Sequence, residues 1–397
     1  MASAQPVRST GQRKIAVDTY RGLLLLLLLA NAMQVPSVAA HFPDSRLWQV
    51  IGWNMGHSQW VGLSLVDMSQ PGFAFLVGTS LYFSIASRRA RGERFAHLLG
   101  HAVRRAVVLV ALGIFLRSLG GPRTNWTFID TLSQIGLGYV PLFFLALARP
   151  RWQWGTIGAI LLGYWALFAF YPAPGTGYNW ARVMVPNGWQ HHLAGFASHW
   201  DINSNAGAAF DRWFLNLFPR QEVFRGNSGG YVQLNFIPTL ATMVFGLVAG
   251  RWIRERSDAG ALRRFEVTAA LCLAAGLLLH VTGICPVVKR LWTPSFTLVS
   301  AAVCFAMLAA LTWIHEVRGW TRWAFPAVVV GTNSLTAYLM NQLTTPFLAD
   351  QLRIHLPTAV LNLFGSTLAP LLVGALVVAM EWYILLWMYR RRIYVKL

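Results

Sequence analysis

Charged residues are scarce in this 397-residue sequence, at 12% of the chain, whereas 55% of the residues are hydrophobic. A soluble globular domain has about 25% charged residues, so this composition is not that of an ordinary soluble protein. Acidic residues are scarcer than basic ones, with 14 Asp and Glu against 33 Lys and Arg. The sequence therefore predicts a membrane protein whose positive charge needs an explanation.

Sulfur ligands and common catalytic motifs are also scarce. Only three cysteines occur, and none forms a C-x-x-C pair, so the sequence predicts neither a disulfide framework nor a sulfur-based metal site. The histidines between residues 191 and 199 have no spaced carboxylate or cysteine to complete a ligand set. The chain contains no P-loop or H-E-x-x-H motif. We therefore expect no metal and no permanently bound cofactor.

Long hydrophobic runs are the main feature that is present. A helix that crosses a hydrocarbon core of about 30 Å needs roughly 20 apolar residues, and about ten segments meet this condition. The sequence thus predicts an all-α polytopic membrane protein, in which the whole chain, 1–397, forms a single transmembrane domain. The segments lie near 18–38, 65–86, 103–120, 127–148, 154–171, 236–253, 265–282, 295–314, 324–343 and 368–389.

The basic residues concentrate in alternate loops. Runs such as RRARGER (88–94), RWIRER (251–256) and YRRRIYVK (389–396) fall on one side of the predicted bundle, together with the N-terminus. By the positive-inside rule this side is cytoplasmic, which places both termini in the cytoplasm. The net charge of +19 then reflects topology and contact with the headgroups of the lipid bilayer, and we expect no nucleic-acid partner.

One connecting segment, 172–235, is much longer than the others and is rich in Gly, Asn, Trp and His. The charge pattern places it in the periplasm. Long loops on compact bundles often carry function. The tryptophans of this loop either stack against a sugar ring or lie at the membrane interface.

The stretch HSQWVGLSLVDMSQPGFAFLVG, 57–78, brings a histidine and an aspartate to the outer end of the second predicted helix. An imidazole titrates near neutral pH, so His57 is a candidate general base. Ser64 and Asp67 have the spacing of a capping box, which gives Asp67 a structural alternative. Pro71 cannot donate to the carbonyl of Asp67, so we expect a polar break in the helix there.

The first predicted helix also carries polar side chains. Asp18 and Arg21 are three residues apart, so they are neighbours on a helix and we expect an ion pair near the cytoplasmic boundary. Asn31 lies about 15 Å further along, in the outer half of the membrane. Its amide either forms a packing hydrogen bond between helices or belongs to a functional site.

A base without a protein nucleophile suits direct group transfer, in which the base removes a proton from an acceptor that attacks an acyl donor. An acyl-histidine intermediate is the alternative mechanism. The alternative function is a transporter or flippase for a lipid-linked sugar, with His57 and Asp67 as gating or proton-coupling groups.

The stretch VDTYRGLLLLLLLANAM (17–33), followed by HSQWVGLSLVDMSQPGFAFLVGTSL (57–81), resembles the opening of the heparan-α-glucosaminide N-acetyltransferase family and its bacterial relatives. The chain departs from the family pattern at Val61, where the family has Asn, and at Gln70, where the family has Phe before the proline. Three later stretches fit the family in order: NAGAAFDRWF with FIPTLATMVFGLVAG (205–250), LWTPSFTLVSAAVCF (291–305) and RWAFPAVVVGTNSLTAYLM (322–340).

The resemblance implies a multi-pass protein of the bacterial inner membrane and is compatible with a homodimer. It also implies transfer of an acetyl group from cytoplasmic acetyl-CoA, the co-substrate, to a sugar amine or hydroxyl of a periplasmic glycan. His57 corresponds to the family's active histidine and Asn31 to its supporting asparagine. We therefore interpret His57 as the base, Asn31 as the group that orients the acyl or acceptor group, and Asp67 as the residue that fixes His57 or the helix start.

Further candidates divide between the two substrates. Arg104 and Arg105 either contact the phosphates of coenzyme A or anchor the cytoplasmic boundary. Asn333, Ser334 and Tyr338 begin a polar stripe that either lines an acyl channel or forms hydrogen bonds between helices. The candidates for contact with the acceptor are Trp60, Asn205, Asp211 and Arg212.

Overall fold

The computed structural model describes residues 14–395, and over this range the regular structure is helical, which confirms the all-α prediction. Among the described residues the only pairing of extended backbone is an isolated bridge between 61–62 and Val288. The α-helices are α1 (Ile15–Leu29), α2 (Val35–Ala39), α3 (Arg46–Met55), α4 (Ser69–Ala90), α5 (Phe95–Ser118), α6 (Thr131–Leu147), α7 (Pro150–Ala169), α8 (Ala206–Phe214), α9 (Phe236–Glu255), α10 (Asp258–Val281), α11 (Pro294–Thr312), α12 (Phe325–Thr332), α13 (Ser334–His355), α14 (Thr358–Leu361) and α15 (Ala369–Arg390).

Six helical segments within residues 14–395 are long and apolar enough to cross a membrane. The helix α6 is apolar but shorter. The prediction of a membrane protein therefore holds, whereas ten spans and two cytoplasmic termini stay predictions. The six segments are Ile15–Met33, Phe95–Ser118, Gln233–Glu255, Asp258–Val281, Pro294–Val317 and Ser366–Arg390.

The predicted span 324–343 is divided in two at Asn333. This residue leaves the helical backbone conformation, with φ −116° and ψ 48°. Its buried amide donates to the Ile393 carbonyl over 3.0 Å and accepts from the Val395 backbone N–H over 3.2 Å. Of the two roles predicted for Asn333, the structure thus shows hydrogen bonding, because the side chain fastens the segment after α15 to the break between α12 and α13.

Glycines allow helices of the core to pack closely against each other. The helices α4 and α9 pack closely against each other. A Cβ atom built on Gly78 would lie 1.8 Å from the Met243 carbonyl oxygen, and one on Gly246 would lie 1.8 Å from the Phe75 carbonyl oxygen. Small residues allow membrane helices to bring their backbones together in this way. The two helices therefore depend on the absence of side chains at both positions.

Replacing Gly246 with alanine is expected to destabilise the protein, because the added methyl group would meet backbone that cannot rotate away. Overpacking of a tight core costs about 1–3 kcal/mol or more. The measurement is thermal unfolding of the purified protein in detergent, where a lower unfolding temperature is expected. Gly155→Ala in α7 is the matched control, since nothing lies within 4 Å of a Cβ built there. Equal unfolding temperatures for the two variants would contradict the packing argument.

The long segment 172–235 is folded onto one end of the bundle. It contains α8 and several short 3₁₀ turns, and its apolar side chains form a separate hydrophobic cluster with residues from α7 and from the segment before α11. Trp60 and Trp200 are completely buried in this cluster, where the Trp60 indole donates to the Trp200 carbonyl over 3.2 Å. This cluster holds the segment that follows α3 against the long loop.

Candidate functional site

The segment after α3 is organised around the carboxylate of Asp67. Oδ2 of Asp67 accepts from the backbone N–H groups of Ser58 and Ser64, each over 3.1 Å, and the Ser64 hydroxyl accepts from the Asp67 N–H over 3.3 Å. This reciprocal pair is the capping box that the sequence predicts. The other oxygen, Oδ1, lies 2.7 Å from Nδ1 of His57. Asp67 therefore caps the helix start and also holds the histidine.

The side chains of His57 and Asp67 differ sharply in exposure. The imidazole is 50% exposed, whereas the carboxylate is fully buried. A hydrogen bond of 2.7 Å to a carboxylate requires the proton on Nδ1. The ring therefore donates from Nδ1 to Asp67, and in a neutral ring the lone pair lies on Nε2.

Lys289 completes the group and was not among the residues that the sequence singled out. Its buried ammonium lies 3.0 Å from Oδ1 of Asp67 and 3.1 Å from Nδ1 of His57. The backbone pairing explains this position, because the Gly62 N–H donates to the Val287 carbonyl over 2.9 Å and brings the following residues beside His57. The ammonium and the imidazole N–H thus converge on one carboxylate oxygen.

The electrostatics of Asp67 follow from these contacts. Asp67 lies in a 3₁₀ turn before α4, outside the six membrane-spanning segments. Burial acts to raise the pKa of its carboxyl, but the hydrogen bond from His57 and the charge of Lys289 outweigh burial and hold that pKa well below its usual range. Asp67 is therefore ionised at neutral pH, and it neutralises the buried ammonium.

Asn31 and His57 line the same cavity, whose volume is about 510 Å³. Asn31 lies in the 3₁₀ turn that extends α1, and its side chain is exposed to this space. The cavity also reaches Tyr338 and Gln342 on α13 and the segment 227–231 of the long loop. Below, we call this space the His57 cavity. It brings together parts of the chain that lie far apart in the sequence, from the end of α1 to the middle of α13.

Arg290 attaches the long loop to this site. Its guanidinium donates to the Gly229 carbonyl over 2.8 Å and to the Ser58 carbonyl over 3.3 Å. Gly229 belongs to the wall of the His57 cavity, and Ser58 belongs to the segment that carries His57. The loop therefore has a fixed position relative to the imidazole.

Pro71 does not have the role that the sequence predicts for it. The helix α4 begins at Ser69, so Pro71 is its third residue. The first turn of a helix has no intrahelical partner for its N–H groups, and a proline there removes no hydrogen bond. The helical backbone begins with the 3₁₀ turn Val66–Met68 and becomes α-helical at Ser69, so Pro71 lies near the helix start and does not break the interior of a helix.

The sequence of the chain is similar to those of two known proteins. No family model matches the chain. It is 26% identical over 396 residues to heparan-alpha-glucosaminide N-acetyltransferase of Mus musculus, covering 87% of this chain and 56% of the mouse protein. The human protein of the same name is 25% identical over 375 residues, covering 82% of this chain and 52% of the human protein. The chain is a homologue of this acetyltransferase. It spans about half the length of these curated relatives.

Of the residues predicted to contact coenzyme A, one lines the His57 cavity. Tyr338 lines the His57 cavity, whereas Arg104, Arg105 and Ser334 do not. The Arg105 guanidinium lies 5.0 Å over the ring of Tyr139, which is a cation–π contact between α5 and α6. Of this predicted set, only Tyr338 lines the same cavity as His57.

The predicted acceptor contacts of this acetyltransferase homologue have structural partners away from His57. Trp60 is buried in the hydrophobic cluster of the loop. Asn205 caps α8, since its side-chain oxygen accepts from the Ala208 N–H over 3.0 Å. Both oxygens of Asp211 accept from the Gln233 N–H over 3.1 Å. None of these three side chains lines the His57 cavity.

Two further predictions concern ions. Asp18 and Arg21 form the expected ion pair, with 3.3 Å between Oδ1 and Nη1, and the same arginine donates to the Ser80 hydroxyl over 2.6 Å. Among the described residues no group of three or more His, Cys, Asp and Glu side chains could hold a metal ion.

The carboxyl of Asp211 predicts a pH dependence of stability. Burial raises its pKa to about 7, against the opposing effect of the hydrogen bonds from Gln233 and the charges of Arg212 and Arg220. The unfolded chain has an Asp pKa of about 3.9, so the folded state binds the proton more tightly. The corresponding stability is complete below about pH 4 and is lost as pH rises through about 7.

Asp211→Asn is expected to flatten this dependence, because an amide cannot ionise. Thermal unfolding in detergent at about pH 5 and about pH 8 should show a smaller decrease for the variant than for the wild type, by a few kcal/mol at most. Asp44→Asn, which changes an exposed carboxylate, should keep the wild-type decrease. The same pH dependence in Asp211→Asn and the wild type would disprove the assignment.

Proposed function

We propose that this protein is an acetyltransferase of the bacterial inner membrane that moves an acetyl group from acetyl-CoA to an amine or hydroxyl of a glycan. The observation that carries the proposal is the half-exposed His57, which is held from behind by a buried carboxylate and opens onto a cavity shared with Asn31. The homology to two proteins named as N-acetyltransferases supports the same class of reaction.

In this proposal Nε2 of His57 removes a proton from the acceptor as its nitrogen or oxygen attacks the thioester carbonyl of acetyl-CoA. The new bond joins the carbonyl carbon to the acceptor, and the carbon–sulfur bond breaks. The electron pair leaves with the coenzyme A sulfur, and the imidazolium returns a proton to that sulfur. The charge of Asp67 stabilises the imidazolium while it exists. The amide of Asn31 orients the acyl or acceptor group.

The proposal is tested with purified protein in detergent, acetyl-CoA labelled in its acetyl group, and glucosamine as the probe acceptor. The expected result is release of free coenzyme A and labelled sugar that depends on both protein and acceptor. Glucose in place of glucosamine shows whether a hydroxyl also accepts the group. A transporter or flippase would leave the thioester intact, and that result would contradict the proposal.

The same assay separates the two mechanisms. If His57 acts only as a base, no label should remain on the protein in the absence of acceptor. Stable labelling of the protein that is lost in His57→Ala would instead identify an acyl-histidine intermediate.

A further inference from the structure

A second cavity, of about 740 Å³, lies within the long loop region. Three arginines line it: Arg182, Arg212 and Arg225. Tyr178 and Asn179 also contribute to its wall, and no Asp or Glu is among its lining residues in the described part of the chain. Below, we call this space the arginine cavity. Its volume is within the range of about 300–1,000 Å³ that is typical of pockets for small ligands.

The three arginines differ in the hydrogen bonds that their side chains form. Arg212 donates to the Asn203 carbonyl over 2.9 Å, so the fold uses its side chain. The side chains of Arg182 and Arg225 are exposed and form no hydrogen bond or ion pair with residues 14–395. The nearby carboxyl of Asp211 is buried and accepts from the Gln233 N–H. Two guanidinium groups of this cavity therefore form no ion pair with residues 14–395.

The side chain of Asn203 links the walls of the arginine cavity and the His57 cavity. Its amide nitrogen donates to the Val183 carbonyl over 2.9 Å and to the Asn227 carbonyl over 2.8 Å. Val183 lines the arginine cavity, whereas Asn227 lines the His57 cavity. One lining residue of each cavity is thus bonded to the same buried side chain.

The chain also passes directly from one cavity to the other. Arg225 lines the arginine cavity, and Asn227 and Ser228 line the His57 cavity. Between them, a Cβ on Gly226 would lie 2.1 Å from the Val183 carbonyl oxygen, so the backbone is packed tightly at the crossing. This short segment therefore contributes to the walls of both cavities.

We propose that the arginine cavity binds an anionic group, such as a carboxylate, sulfate or phosphate, on the same glycan whose amine or hydroxyl reaches His57. The planar fork of a guanidinium matches the oxygens of such groups, and charge-assisted hydrogen bonds are stronger than neutral ones. The link to transfer rests on the proposed function. The anion site itself rests on the cavity and its unpaired arginines.

The anion site is tested by binding. The probes are glucose 6-phosphate and glucose, with the full-length protein in nanodiscs of phosphatidylcholine and affinity measured by ligand-observed NMR. Glucose 6-phosphate should bind at least about tenfold more tightly than glucose, and added salt should weaken it. The double variant Arg182→Gln/Arg225→Gln should lose this difference. Arg123→Gln, which changes an exposed arginine outside both cavities, should keep it.

Two further arms identify the source of the anion and separate this inference from the proposed function. His57→Ala should bind glucose 6-phosphate as the wild type does, so an absence of transfer activity would not affect the test. Nanodiscs that contain anionic phosphatidylglycerol should leave the affinity unchanged, whereas competition would assign the cavity to lipid headgroups. Equal binding of glucose and glucose 6-phosphate, or wild-type affinity in the double variant, would overturn the anion site.

The link to transfer is tested with two glucosamine disaccharides that differ only in a phosphate group on the second sugar. The double variant should raise KM for the phosphorylated acceptor about tenfold and leave KM for the neutral one unchanged. An equal change in KM for both acceptors would show that the arginine cavity does not contact the acceptor's anionic group.

Discussion

His57→Ala is expected to reduce acetyl transfer by about 10²- to 10⁴-fold, which is the range that a positioned general base contributes. The physical reason is that no other described imidazole lines the His57 cavity. In the variant the acceptor would have to lose its proton to water. The measurement is kcat/KM for transfer from labelled acetyl-CoA to glucosamine.

The folded protein should survive this substitution. His57 is half-exposed, and its removal deletes one hydrogen bond to Asp67. The carboxylate would still have the Lys289 ammonium at 3.0 Å and the two backbone N–H groups of Ser58 and Ser64. We therefore expect the unfolding temperature to change little and coenzyme A to bind as before, so that the loss of activity reports chemistry.

His192→Ala is the matched control for this experiment. Nδ1 of His192 lies 2.9 Å from Oδ2 of the buried Asp201, and its side chain is 36% exposed. The pair therefore resembles His57 and Asp67 in geometry, but neither residue lines the His57 cavity. Transfer should stay within about threefold of the wild type in His192→Ala. Unchanged turnover in His57→Ala would exclude the histidine as the base.

Local sequence was enough to predict part of this site. The spacing of Ser64 and Asp67 indicated the capping box, and the structure contains it. The placement of Asn31 at the far end of the first helix also agrees with its exposure to the His57 cavity. These features depend on residues that are close in sequence or on the rise of a single helix, and both can be calculated without knowledge of tertiary contacts.

Lys289 could not be predicted in the same way, because it lies 232 residues from His57 in the sequence. One signal was available. Lys289 and Arg290 form a basic pair in a loop that the charge pattern places outside, where the positive-inside rule predicts few such residues. An exception to that rule indicates a charge that the fold uses, and here each of the two side chains contacts the segment that carries His57.

In the long loop the sequence singled out residues that the structure shows in structural hydrogen bonds. Polar residues such as Asn205 and Asp211 look functional in an irregular segment, yet caps and buried backbone groups also need polar partners. The sequence cannot show which backbone N–H groups are left unpaired until the loop has folded. The interruption of the predicted span 324–343 could not be predicted for a related reason. The break at Asn333 depends on contacts with the distant end of the chain.

The second large effect concerns the buried pair of Asp67 and Lys289. Asp67→Asn is expected to reduce transfer at least about 10-fold and to lower the free energy of unfolding by about 3–5 kcal/mol, because it leaves the Lys289 ammonium buried without a counter-charge. Lys289→Met should also lower stability, since the carboxylate then lacks its cationic partner. Unfolding in denaturant and kcat/KM are measured for each variant.

The double variant Asp67→Asn/Lys289→Met separates the structural role of the pair from its role in transfer. With both charges removed, much of the lost stability should return, because an apolar side chain can replace a buried ion pair at little cost. Activity should stay low, because the neutral amide introduced by Asp67→Asn cannot stabilise an imidazolium as a carboxylate does. If activity returned together with stability, the pair would serve only to hold the fold, and Asp67 would have no part in positioning His57.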